Sequence, residues 1–179
     1  DAAITVLGLY YRLQSFFFIP LFAMHACIVP ILSFNYARRE YGRCRQMMRN
    51  ITIVSLAFMT IGTACFLLIP RCLLNIFTPT EEVLRVGIPA FRIIGISFFP
   101  AVFSMTLPIF FQAVGQLAPS IWLSLTRHVF CLMTLFYLLS LIGLGWTWAA
   151  FPLAESITGG VGIILYYHHW RTLKLRAIS

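Results

Sequence analysis

The sequence predicts an all-α, polytopic membrane protein in which five transmembrane helices form one bundle. The first observation is the composition: 60% of the 179 residues are hydrophobic and 10% are charged, with a mean hydropathy of +0.90, which excludes a water-soluble domain. The second is that apolar residues form five stretches, each at or above the roughly 20 residues that a helix needs to cross the hydrocarbon layer. The stretches cover residues 2–34, 51–70, 86–114, 119–142 and 146–169.

Prolines interrupt the first and third stretches. The first contains Pro20 and Pro30, and the third contains Pro89, Pro100 and Pro108. Proline inside a helix removes a backbone hydrogen bond and favours a bend, so we expect both helices to be tilted, kinked or both. In transporters such helices often line the substrate pathway, although prolines are also common in membrane helices that have no such role.

Basic residues cluster at two places and predict the topology. The chain carries 13 basic and 5 acidic side chains, for a formal charge of +8. One cluster follows the first stretch and the other follows the fifth: Arg38, Arg39, Arg43, Arg45 and Arg49, and then Arg171, Lys174 and Arg176. The positive-inside rule places both clusters in the cytoplasm, and five alternating spans agree with that assignment. We therefore expect a cytoplasmic C-terminus and, in a longer protein, at least one further span before Asp1.

A helix start is predicted on the outer side, before the third stretch. Thr78 suits the N-cap, Pro79 suits the first helical position, and Glu81 completes a capping box. We expect a capped helix to begin there.

Two polar side chains of the first stretch indicate a face that lines a pathway. Gln14 and His25 are eleven residues apart, and at about 100° per residue they point in nearly the same direction, with Phe18 and Leu21 between them. This stripe predicts one side of a substrate cavity. The alternative is that Gln14 and His25 form hydrogen bonds to a neighbouring helix.

An ion pair is a second hypothesis at membrane depth. A charged side chain inside the hydrocarbon costs about 2.5–3.5 kcal/mol on insertion scales, so it needs a partner, water or a function. Arg127 and Glu155 lie on oppositely directed helices and differ in depth by about 9 Å, a gap that a long arginine can bridge. The pair is structural in one interpretation, and in the other Glu155 carries a proton.

Several motifs together resemble a known family. They are residues 30–36 (PILSFNY) before an arginine-rich loop, 110–116 (FFQAVGQ) with Pro119, 124–127 (SLTR) and 145–152 (GWTWAAFP). In this order the chain resembles the C-terminal half of multidrug and toxic compound extrusion (MATE) transporters over essentially its whole length. The resemblance implies that residues 1–179 are a partial C-terminal lobe, helices eight to twelve, with the N-terminal lobe and helix seven absent.

The resemblance implies a function for the longer protein: a secondary active transporter that exports amphipathic or cationic drugs by alternating access, in exchange for H⁺ or Na⁺. It implies no cofactor, no metal site and no catalysis, with the coupling ion bound mainly in the missing lobe. Its partners would be the lipid bilayer, small organic substrates and the N-terminal lobe, without nucleic acid, in the bacterial inner membrane. The expected cavity residues are Gln14, Phe18, His25, Met105 and Gln112.

The chain departs from one branch of that family. Where that branch carries an acidic residue on the tenth helix for the coupling cation, this chain has Phe103 near the corresponding place. It therefore looks more like the DinF- and MepA-like branch.

Other functions stay open at this point. A lipid-linked oligosaccharide flippase of the same superfamily would need more cationic cavity residues, and Arg12, Arg92 and Arg127 are candidates. A membrane-embedded enzyme would need an acid, a base or a nucleophile gathered at one depth, and no catalytic or metal-ligand spacing supports one. A non-transporting helical scaffold is a further alternative.

Overall fold

The computed structural model describes residues 2–77 and 80–176, and every regular element in those ranges is helical. In chain order the elements are α1 (Ala2–Ala37), α2 (Tyr41–Leu68), α3 (Pro70–Asn75), α4 (Glu81–Gly95), α5 (Phe98–Ala113), α6 (Leu117–Leu125), a π-helical segment (Thr126–Met133), α7 (Thr134–Ile142), α8 (Leu144–Thr147) and α9 (Ala150–Arg176). We call residues 126–133 the π segment.

The five predicted spans correspond to five helical passes. Four helices are long and apolar enough to cross a membrane: Ala2–Ala37, Tyr41–Leu68, Leu117–Ile142 and Gly145–Leu173. The fifth candidate span, third in chain order, is the pair of α4 and α5, which are bent by 50° at their junction. The predicted all-α membrane bundle is therefore confirmed.

The two proline-containing stretches behave differently. α1 runs without a break through Pro20 and Pro30. The third stretch, expected as a tilted or kinked helix over residues 86–114, does bend, by 50°, and the bend is a break at which one helix stops at Gly95 and the next begins at Phe98. Pro100 favours a break here, because it has no N–H to bond the carbonyl of Ile96, four residues earlier, and its ring crowds that carbonyl.

The arginine-rich stretch is mostly helix, whereas a loop was expected. Only residues 38–40 form the turn, and Arg39 adopts a positive φ of 60° there. Glu40 accepts ion pairs from Arg43 at 2.9 Å and from Arg38 at 3.6 Å. α2 begins at Tyr41, ten residues before the apolar stretch, because arginine is a good helix former and a helix can extend beyond the hydrocarbon.

The expected helix start lies partly outside the described residues, since these do not include Thr78 and Pro79. α4 begins at Glu81, and Thr80 is its N-cap, with the Thr80 hydroxyl accepting a bond from the Val83 N–H at 3.5 Å. Glu81 is thus the first helical residue and cannot complete the expected capping box.

Two apolar cores fill the bundle, one toward each end. The core beside the start of α1 contains Tyr10, Phe66, Phe91 and Phe98. The other core contains Leu32, Cys44, Met48, Phe110, Phe111 and Trp170. It lies at the end that carries Arg38, Arg43, Arg45, Arg49 and Arg171, which we call the basic end.

Glycines allow the closest helix contacts. On α9, a Cβ added to Gly159 would lie 3.2 Å from Phe103 Cβ of α5, and one on Gly162 would lie 2.9 Å from Leu107 Cδ1. Between α4 and α2, a Cβ on Gly95 would lie 2.7 Å from Phe66 Cβ. Small residues at these crossings let backbones approach as they do in membrane bundles.

Large apolar side chains cover much of the outer surface. Phe16, Tyr137 and Leu141 are 73%, 67% and 69% exposed. In water such a surface is a liability, but facing lipid it is the normal exterior of a membrane helix.

Candidate functional site

A cleft opens midway along the bundle between α1, α5, α6 and the π segment. It consists of two adjoining cavities of about 260 and 180 Å³ that share Phe22, Met105, Arg127 and His128. The remaining lining residues are Gln14, Ser15, Phe18 and Ile19 in the first cavity and Ser104, Pro108, Ile109, Gln112, Ser120 and Ser124 in the second. We call the two cavities together the cleft.

Four of the five expected cavity residues line the cleft. Gln14 and Phe18 enter from α1, and Met105 and Gln112 enter from α5. The lining is mixed, with six apolar or aromatic and eight polar or charged side chains, so it offers both apolar surface and groups that can orient a small molecule. Their role in substrate binding stays a prediction.

His25 lies elsewhere. It is 1% exposed, and its Nε2 lies 3.1 Å from the Thr106 hydroxyl in the interface between α1 and α5. Leu21, which the expected stripe also included, is fully buried in the apolar core. The helical period gives the direction of a side chain but not which neighbour packs there, and eleven residues carry His25 about 16 Å further along α1 than Gln14.

An ion pair supports the wall of the cleft. Arg127 of the π segment donates from Nε and Nη2 to Glu155 Oε1, at 2.9 and 2.6 Å. The Ser104 hydroxyl of α5 donates to the other carboxylate oxygen, Oε2. The Arg127 and Glu155 side chains are 14% and 13% exposed, so the pair lies mostly away from solvent.

The local fold explains why these three residues meet. Gly159, one turn after Glu155, lets α9 approach α5 closely and brings the carboxylate to Ser104. The π segment places Arg127 so that it faces both Glu155 and the cleft. π turns within α-helices are rare and often occur at functional sites. Chemically, the pair offsets the charge of Arg127 while leaving that residue on the cleft wall.

Sequence reasoning missed several lining residues, among them Phe22, Ser104 and His128. Phe22 lies four residues after Phe18 and eight after Gln14, so the i, i+4, i+8 spacing would have found it. His128, whose Nδ1 lies 3.1 Å from the Ser124 carbonyl oxygen, stands out in the sequence only as an ionisable residue at membrane depth. Ser104 carried no signal, because a serine in an apolar helix is common.

A protein-family model, MatE, matches residues 1–138 of the chain. A comparison with functionally curated proteins finds no significant match. Solved structures do match, and they are membrane transporters.

Three of the similar structures illustrate the range. The MATE multidrug transporter DinF-BH, whose structure was solved as a complex, is 29% identical, with a TM-score of 0.82 over 91% of this chain and 37% of that one. A MATE structure in a bent conformation is 16% identical, with a TM-score of 0.90 over 100% and 40%. A MOP superfamily transporter from Pyrococcus furiosus Vc1, described as having a binding pocket of reverse polarity, is 17% identical, with a TM-score of 0.89 over 97% and 40%. The chain thus spans about two fifths of the length of these solved relatives.

Proposed function

The chain belongs to the MatE family of membrane transporters, and we propose that it forms part of the C-terminal lobe of a secondary active drug exporter. That family is one of transporters, not of enzymes. In the proposal, a second lobe of the same longer protein faces the cleft. The two lobes rock between inward- and outward-open states, and H⁺ or Na⁺ entering the cell drives the substrate out.

The observation that carries the proposal is the lining of the cleft. Phe22, which is 52% exposed, offers an aromatic surface, and Phe18 and Met105 border the cleft from the apolar core, a combination that suits varied amphipathic compounds. A cationic substrate gains from contact with the ring faces. Gln14 and Gln112 supply polar groups that accept or donate without a fixed charge.

The coupling cation is proposed to bind mainly in the other lobe. By the family resemblance, Phe103 lies near the place where one branch carries an acidic residue, and Glu155 is already bound to Arg127 and Ser104. The structural similarity to DinF-BH supports this assignment to the DinF-like branch.

A lipid-linked oligosaccharide flippase is the second candidate, because Arg127 lines the cleft. Such a flippase needs several cations for a pyrophosphate. Arg12 and Arg92 are exposed, and among the lining residues of the cleft in the described chain Arg127 is the one arginine, already paired with Glu155. This arrangement favours the drug exporter.

Efflux from living cells tests the proposal. The full-length protein, produced in a bacterial strain that lacks its own drug pumps, is expected to lower the accumulation of a cationic dye. An ionophore that collapses the H⁺ and Na⁺ gradients should abolish the effect. Export that persists without any gradient would contradict antiport.

A further inference from the structure

A further cavity lies at the basic end, remote from the cleft. Its volume is about 400 Å³, and it is lined by Arg45 near the start of α2 and by Tyr166, Tyr167, Trp170 and Arg171 near the end of α9. The two arginines and the three aromatic side chains thus share one concave surface. We call it the arginine–aromatic cavity.

The guanidinium of Arg45 lies over the ring of Trp170. Its guanidinium carbon lies 4.5 Å from the ring centroid of Trp170. Trp170 is itself 6% exposed and packs against the rings of Tyr41, Phe110 and Tyr166, at centroid distances of 5.9, 5.8 and 6.0 Å. A guanidinium that packs over a ring in this way still has N–H groups with which to bind an anion.

The two arginines of this cavity have no carboxylate partner within residues 2–77 and 80–176. Glu40, the acidic residue at this end, is engaged by Arg43 and Arg38. The other acidic side chains of those ranges are Glu81 and Glu82, which begin α4, and Glu155, which is bound to Arg127. Within those ranges, therefore, no acidic side chain neutralises the positive charge of the cavity.

We propose that the arginine–aromatic cavity binds an anionic phospholipid, with its phosphate between Arg45 and Arg171 and its glycerol backbone against Tyr167 and Trp170. The two arginines favour a negatively charged ligand, and the aromatic lining favours one that also has an apolar part, such as the acyl chains of a lipid. Tyrosine and tryptophan favour the membrane interface, and basic pockets between helices on the cytoplasmic side hold anionic headgroups. The inference goes beyond drug export and rests on the proposed cytoplasmic placement of the basic end.

Native mass spectrometry of the full-length protein in detergent tests the site. The probes are phosphatidylglycerol and phosphatidylcholine of equal chain length. The variant Arg45→Gln/Arg171→Gln removes both cavity cations. The matched control, Arg38→Gln/Arg43→Gln, removes two charges from the same end but outside the cavity.

We expect the wild type to prefer phosphatidylglycerol, and the cavity variant to lose about fivefold in that preference per arginine removed. The control should retain most of the preference. An equal loss in the control would overturn the proposal, because it would mean that diffuse surface charge attracts the lipid. Displacement of the lipid by millimolar inorganic phosphate would also overturn it, since the cavity would then take a bare phosphate. The assay needs no transport, so its outcome is independent of whether the protein exports drugs.

Discussion

Arg127 Nη2 lies 2.6 Å from Glu155 Oε1, and this contact ties the π segment to α9 beside the cleft. Arg127 therefore has two roles in the architecture: it closes an ion pair on one side and forms part of the cleft wall on the other. If α9 moves relative to the π segment, either the ion pair breaks or the two side chains move together with the helices.

Removing one partner of the pair is expected to destabilise the protein more than removing both. Arg127→Met leaves a mostly buried carboxylate without its cation, and losses of about 3–5 kcal/mol are typical for such changes. Arg127→Met/Glu155→Met removes both charges and should recover part of that loss. Thermal unfolding of the purified full-length variants measures the coupling. Strictly additive losses would show that the two charges do not stabilise each other.

Glu155→Gln separates a structural role from a coupling role. Glutamine keeps the size of the side chain and an acceptor for Ser104, but it cannot bind or release a proton. We expect a lower midpoint of unfolding together with residual gradient-driven transport, because the coupling cation is proposed to bind in the other lobe. Complete loss of coupling at normal membrane abundance would instead make Glu155 the coupling acid.

Gln14→Leu/Gln112→Leu should change which drugs the transporter exports. Both glutamines line the cleft, so replacing them by leucine removes polar contacts without large changes in volume. Efflux rates across a panel of cationic dyes are expected to shift several-fold and unequally, as the loss of one or two hydrogen bonds would produce. Gln46→Leu, an exposed change on α2, is the control and should leave the panel unchanged. If the double variant and the Gln46→Leu control changed the efflux of every dye by the same factor, the result would argue against a role of the cleft in selectivity.

Gly95→Ala tests the crossing of α4 and α2. The added Cβ would lie 2.7 Å from Phe66 Cβ, which is close to the backbone and cannot move aside easily. We expect a loss of about 1–3 kcal/mol in stability, as for other overpacked sites. Gly8→Ala is the matched control on a helix, since nothing lies within 4 Å of its added Cβ. Equal unfolding midpoints for the two variants would contradict the packing described here.

Hydropathy predicted the passes well because the bilayer imposes the length and apolarity of every span. The prolines predicted a bend in both the first and the third stretch, but they could not show that only the third breaks, at Ile96 and Ser97, while α1 continues through Pro20 and Pro30. Whether a proline breaks a helix depends on the neighbouring helices that accept the freed carbonyl, and those are not visible in a local window.

Local sequence patterns predicted part of the cleft, and contacts between distant residues determined the rest. The spacing of Gln14 and Phe18 follows the helical period and marks one face of α1. The location of His25 depends on Thr106, which is 81 residues away in the chain. The π segment has no periodic signature of its own, so the sequence could not show how Arg127 reaches Glu155.

Transport by the purified full-length protein in liposomes tests the central claim most directly. A cationic dye is present at equal concentration on both sides of the membrane, the lumen matches the basic end, and a pH or Na⁺ gradient directed into the liposome is imposed. The account predicts that dye leaves against its own gradient, that the imposed gradient dissipates faster in its presence, and that Gln14→Leu/Gln112→Leu changes the rate. Dye movement that follows only its own concentration gradient, at the same rate with and without the imposed ion gradient, would contradict it.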